Sequence, residues 1–474
     1  MLINNELFVS LNNRFSLFRF NEVRYFAKLT RWVADTKLAH EMQQFKHFQD
    51  VISFCLDHND DLTRRDVIAS LSYVGTCKGK DYKSDKFKFY LNFILDRVEV
   101  LFNDKNIYLL VHRLAVLNYT PGLSLLYKKY ISKLQFDRAD TKSIAIICWG
   151  FMKNDLSYSQ LFESISQTLI HKIHLCNLTD TSLLLWSYCR FIPLQHRLLF
   201  LLINRLFEII NVVEIRLMDL LNDTVKYIPG QFITDVTIDK CEIIDSLDSF
   251  KECTNDVDKS DLSNMADKYI DSSGQFYTNI SHDLSMAARS LSLIPGYTNH
   301  VRKLIDFTLY LSETGKVDLT AQCMTSLWEA MAHKGLNDDK LIDRLCESSR
   351  YLRLDHTFNS NMLVKIMHSN TKLKVKDPRV IYQCLHWLEK RADQMHASHI
   401  LSIAKCLVFM GIDNEKAWKR LGVAIQSRGI ELTAMELEEL VELFKKIGRG
   451  NERIYGVLNH FIAVKNDHAM YGPT

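Results

Sequence analysis

A chain of 474 residues with a net charge of +3 and 47% apolar residues has ample material for a large folded core. Only 16 Gly and 6 Pro are available for chain reversals, which disfavours strand-and-turn folds and favours long helices joined by short turns. The eleven cysteines are odd in number and form no C-x-x-C pair, so reduced, buried thiols are expected rather than a disulfide framework or a zinc site.

At the N-terminus, residues 1–26 carry Arg14, Arg19 and Arg24 against Glu6 and Glu22, with Phe8, Leu11, Phe15 and Phe18 giving a helix an apolar side. Arg24-Tyr25-Phe26-Ala27 resembles a mitochondrial processing site, which predicts a presequence over 1–26 and a location in the mitochondrial matrix. An ordinary first helix is the other reading. Gly75-Thr-Cys-Lys-Gly79-Lys80-Asp81 has three residues between its glycines and an Asp after the Lys. A phosphate-cradling loop needs four residues and a Ser or Thr, so a surface turn is expected.

Self-similarity organises the rest of the chain. Trp149 closes the run Ser143-Ile-Ala-Ile-Ile-Cys-Trp149-Gly-Phe-Met-Lys153, and Trp186 closes Asp180-Thr-Ser-Leu-Leu-Leu-Trp186-Ser-Tyr-Cys-Arg190, 37 residues on. The apolar stretch Leu198 to Ile215 is broken by Asn204, Arg205 and Glu208, so no membrane span is expected. From Thr234 to Ser273 there are eleven acidic residues against four lysines, with sparse aliphatics. Such a segment buries too little surface to offset chain entropy, which predicts a disordered acidic insertion over 231–279. It separates an N-terminal array, 27–230, from a C-terminal array, 280–474. With the first 26 residues at +1 and the insertion at −7, the remaining body carries about +9.

A third copy, Leu319 to Gly335 around Trp328, matches Leu432 to Gly448 at a constant offset of 113, three periods of about 38. Gly296, Gly335, Gly411 and Gly448 mark helix ends, with an unmarked turn expected near Lys372 and earlier ones near Pro193, Leu156, Tyr119 and Gly75. Asn337 and Asn414 are the expected N-caps of the next helices. The fold class is therefore all-α: an α-solenoid of helix-turn-helix repeats with a period of 37–38 residues, nine or ten units between about 60 and 465.

The aliphatic run, Trp, small residue, aromatic or aliphatic residue, small residue and base seen in Ile147-Cys148-Trp149-Gly150-Phe151-Met152-Lys153 and Leu185 to Arg190 resembles the helical repeats of FAST-kinase-like and RAP-type organellar proteins. That resemblance implies binding to organellar RNA, rRNA or mRNA, in transcript stability, processing or ribosome assembly. The RAP domain that succeeds the repeats in that family is not expected, because 26 residues remain after Gly448.

Trp149, Trp186 and Trp328 sit inside aliphatic runs and are read as repeat-packing residues rather than base-stacking platforms. Bases recur near the ends of the same helices: Lys153, Arg190, Lys334, Lys445 and Lys446. Two readings stand for them. They form a stripe that tracks an RNA backbone, or they complement helix dipoles at C-termini. His386, His396 and His399 lack further ligands at suitable spacing, so neither a metal nor any other cofactor is expected. No nucleophile elbow or H-E-x-x-H is present, so the chain reads as a non-enzyme. The expected partners are organellar RNA and mitoribosomal or RNA-processing proteins, with no DNA. A HEAT-like protein–protein scaffold is the competing reading.

Overall fold

The structure of the protein is a computed structural model that describes residues 36–191, 196–220, 276, 280–350 and 358–471. The presequence expected over 1–26, the turn expected near Pro193 and all but Phe276 of the acidic segment 231–279 lie outside the described residues. Among the described residues the chain forms twenty-one α-helices and no strand; His47 and Lys78 meet in an isolated bridge. The all-α helical-repeat class is thus met directly. Apart from the short helix Val98–Leu101, the described helices fall into ten consecutive pairs.

Two compact units emerge from the packing: one of residues up to Cys176 plus 190–198, the other of Asn177–Cys189 and everything from Leu199 on. In packing, the helices just before the acidic segment group with those after it.

In the N-terminal unit, α1 (Lys37–Met42), α2 (Phe48–Asp57), α3 (Arg64–Val74), α4 (Asp85–Asp96), a short α5 (Val98–Leu101), α6 (Ile107–Val116), α7 (Thr120–Lys129), α8 (Thr141–Lys153) and α9 (Ser159–Lys172) alternate between two rows. α1, α3, α6 and α8 pack on one another in series, and α2, α4 and α7 do the same. α6 and α8 approach closely at Gly150. A Cβ on Gly150 would meet Val111 Cγ1 at 2.6 Å, so the small residue after Trp149 is dictated by helix contact.

In the C-terminal unit, α10 (Leu178–Tyr188), α12 (Ile280–Ser292), α14 (Ala321–Lys334), α16 (Ser360–Leu373), α18 (Ala397–Met410) and α20 (Ala434–Ile447) form a first row. α13 (Thr298–Glu313), α15 (Asp339–Arg350), α17 (Pro378–Arg391), α19 (Glu415–Arg428) and α21 (Glu452–Tyr471) form a second, joined by α11 (His196–Leu220), whose Glu214 pairs with Lys303 of α13 at 3.5 Å.

Caps set the period. Thr320, Asn359 and Thr433 accept hydrogen bonds from the amides of Cys323, Met362 and Glu436 at the starts of first-row helices. Asp377, Asn414 and Asn451 do the same for second-row helices. The cap of α15 is Asp338, which accepts from the amides of Lys340 and Leu341 at 3.0 and 3.2 Å. The expected cap, Asn337, is one residue early, and the charged neighbour holds the geometry instead.

The last four first-row helices of the C-terminal unit, α14, α16, α18 and α20, end on left-handed residues: Gly335 (φ 61°), Lys374 (φ 58°), Gly411 (φ 67°) and Gly448 (φ 67°). Lys374 is the turn expected near Lys372, and it adopts the left-handed backbone without glycine. Asn118 (φ 53°) and Asp155 (φ 56°) serve the N-terminal unit, each one residue from the turn read in the sequence. At Gly75 the helix ends as expected but in right-handed backbone, φ −66°.

Candidate nucleic-acid interface

The tryptophans occupy two columns. Trp149 and Trp186 each lie nine residues past their caps, Asp140 and Asn177, whereas Trp328 lies eight past Thr320. One residue is a rotation of about 100° on a helix. Trp328 accordingly points into the core, fully buried, with its indole N–H donating to Ser349 Oγ at 3.1 Å. Trp149 and Trp186 are half-buried. Trp149 stacks on His112 with ring centroids 5.4 Å apart, and Lys153 Nζ lies 5.1 Å above its ring. In α14 the ninth position holds Glu329, which pairs with Arg289 at 2.7 Å and Lys365 at 3.2 Å. Two further indoles, Trp387 and Trp418 of the second row, are buried and donate to the carbonyls of Phe358 and Ile412.

The five bases read from the sequence have different fates. Lys153 is half-buried, and its amine donates to the Ala115 carbonyl at 3.1 Å, in the last turn of α6. Burial lowers its pKa. Lys334 reaches in the same way to the Ile294 carbonyl just past α12, and burial lowers its pKa too. Each therefore closes the preceding repeat. Arg190 is half-buried just past α10. Lys445 is exposed and pairs with Glu442 at 3.0 Å, and Lys446 is exposed beside it. Lys153 and Arg190 fall in the N-terminal unit, the three lysines in the C-terminal one.

A more regular basic series lies in the second row. Lys340, Arg379, Lys416 and Arg453 are each the second residue of their helix, two past the caps Asp338, Asp377, Asn414 and Asn451. Lys340, Lys416 and Arg453 are exposed, and the ion pairs among the described residues do not engage them. Arg379 is held by Asp343 at 2.6 Å, Asp377 at 2.8 Å and Glu347 at 3.1 Å. Lys419 and Arg420 extend the exposed bases along α19. The first turn is where a helix dipole disfavours cations, by about 0.3–1 kcal/mol each. Dipole complementation therefore accounts for Asp339, Glu415 and Glu452, one residue earlier, and not for the bases. The sequence signal for this series was present in the caps, but a search keyed to Trp runs looks only at first-row helices.

Other sequence-level candidates resolve locally. The nine described cysteines are buried and unbridged. Burial pushes the thiols of Cys55, Cys346 and Cys384 up to about 12, which leaves little thiolate at neutral pH. His386 stacks on Tyr382, His396 meets Ser398 and His399 meets Ser360 across to α16. Among the described residues no group of three or more His, Cys, Asp or Glu converges as a metal site. No described helix is long and apolar enough to cross a membrane. Comparison with family models and with curated proteins finds no match for the chain.

Proposed function

We propose that this is a non-catalytic, RNA-associated helical-repeat protein of the mitochondrial matrix. On this reading it binds rRNA or mRNA through the phosphate backbone, in transcript stability or processing or as a mitoribosome-associated subunit. The observation that carries the reading is the recurrence of Lys340, Arg379, Lys416 and Arg453 at one position of four successive second-row helices. A base repeated once per stacked helix matches the repeated charge of a nucleic-acid backbone. The likeness of the Trp149 and Trp186 runs to FAST-kinase-like and RAP-type repeats, and the Arg-bearing residues 1–26, support an organellar setting.

Binding of the full chain to RNA, titrated against salt, tests this. Replacing Lys340, Lys416 and Arg453 with Ala should flatten the log Kd against log salt slope by about 2, at roughly 0.7 per phosphate contact. An unchanged slope refutes the role of this row. RNA crosslinking in cells tests the association itself, and a reporter fused to residues 1–40 that stays cytosolic refutes the matrix location.

A HEAT-like scaffold is the second reading, favoured by one feature. A groove of about 930 Å³ beside α18 and α20 is lined by Leu401, Met435, Val441 and Ile462 together with Glu436, Glu438 and Glu442, and with Glu439 paired to Lys405 at 2.8 Å. Its chemistry suits a basic, partly apolar protein segment and repels RNA.

A further inference from the structure

The loop that fails as a phosphate-cradling motif carries a different anion chemistry. Lys78, Lys80, Lys83, Lys86 and Lys88 fall within eleven residues. Backbone pairing brings a sixth lysine alongside: the Lys78 amide donates to the Lys46 carbonyl and the Phe48 amide to the Lys78 carbonyl, both at 3.0 Å. These bonds make the isolated bridge between His47 and Lys78.

The loop is built to hold its lysines outward. Cys77 is buried at its start, and Tyr82 packs on Phe48 and Phe87 at 5.6 and 5.5 Å. Asp81 accepts from the Lys83 amide at 3.0 Å, and Ser84 caps α4 by accepting from Phe87. Lys78, Lys80 and Lys83 are left exposed, as is Lys46 on the facing segment. No ion pair among the described residues engages these four. Lys88 is held by Asp85 at 3.1 Å. Packing and caps thus order the backbone, while the four amines gather on its exposed side. The helix that leaves the loop carries one exposed large apolar side chain: Phe89, 64% exposed, one turn beyond Lys86 on the same face of α4.

We propose that Lys46, Lys78, Lys80 and Lys83 form a backbone clasp for single-stranded RNA, with Phe89 as the surface on which a base stacks. The proposal rests on the reading of the protein as RNA-associated and places a second contact in the N-terminal unit. Bases beside a lone exposed ring are the elements of single-strand binding. A membrane surface would call for a broad apolar face, and one phenylalanine does not supply it.

The test uses the full chain and a labelled oligouridylate of about twenty nucleotides, long enough to span one such site. Replacing the four lysines with Ala should flatten the salt slope by about 3 and weaken binding at least tenfold at low salt. Replacing them with Arg should restore both, which separates charge from folding. Phe89→Ala should weaken binding about tenfold with the slope unchanged, because stacking releases no counterions. If the Ala variant binds RNA as the parent does, the clasp is wrong and the RNA reading stands. If the parent binds no RNA, both fall. If the parent instead binds vesicles of phosphatidylcholine with one quarter phosphatidylserine, and the Ala variant loses that binding, the surface is a membrane contact and the proposal is overturned.

Discussion

In the C-terminal unit, second-row helices one repeat apart are joined by ion pairs: Arg302 with Asp338, Arg344 with Asp306 and Glu313, Arg379 with Asp343 and Glu347. In the N-terminal unit one ion pair, Lys129 with Asp96, spans the same kind of junction, and the rest of it is made by rings. Phe48 meets Phe87 at 5.5 Å, Phe87 meets Tyr119 at 5.1 Å, and Tyr127 stacks on Tyr158 at 3.9 Å. The repeat thus fixes where a junction must fall and leaves open its chemistry. Ionic junctions tie register to charge and weaken with salt, whereas aromatic ones tie it to shape and buried area.

The largest expected effect is on the aromatic side. Phe87 is fully buried among Phe48, Tyr82 and Tyr119, so Phe87→Ala should cost about 3–5 kcal/mol. Hydrogen exchange should show the loss in residues 36–176, and equal loss of protection in the C-terminal unit would break the comparison.

Acid should come next. Burial, then the charges of Arg113 and Lys153, lowers the pKa of His112 from its ordinary 6.5 to about 4. The unfolded chain therefore takes up this proton first as pH falls. The contribution is complete above about pH 6.5 and declines towards pH 4, by on the order of 2–3 kcal/mol. His112→Phe keeps a ring on Trp149 and should flatten that part of the stability–pH curve. An unaltered curve would show that His112 titrates normally.

A smaller effect is expected at the ionic junctions. Arg344→Ala should cost roughly 1 kcal/mol at low salt, with most of the difference gone at about 1 M salt. A cost independent of salt would mean that Arg344 acts by packing. The smallest change has the opposite sign. Lys374 holds a left-handed turn that Gly335, Gly411 and Gly448 hold elsewhere, so Lys374→Gly should stabilise by about 0.5–1 kcal/mol. Thermal unfolding with a lowered midpoint would refute the strain assigned to that turn.

How much of the molecule was legible in its sequence depends on whether a feature is local. Caps and turns are, so Asn414, Gly411 and the unmarked turn at Lys374 could be placed to within a residue or two. The column of a side chain around its helix is set by the cap, and aligning Trp328 with Trp149 by residue type alone misses the one-residue slip between them. The partners of Lys153 and Lys334 lie 38 and 40 residues away on another helix, where spacing along the chain does not reveal a carbonyl. The clasp at Lys46 and Lys78 is likewise a pairing of segments distant in sequence.

The reach of Lys334 back to Ile294 carries a consequence for how the C-terminal unit comes apart. When the repeat beginning at Ala321 opens, it takes with it the amine that satisfies a carbonyl at the end of α12. The preceding repeat is then left with a frayed end. Opening of either repeat therefore loosens its neighbour, because the earlier one loses a donor and the later one leaves a half-buried amine without its acceptor.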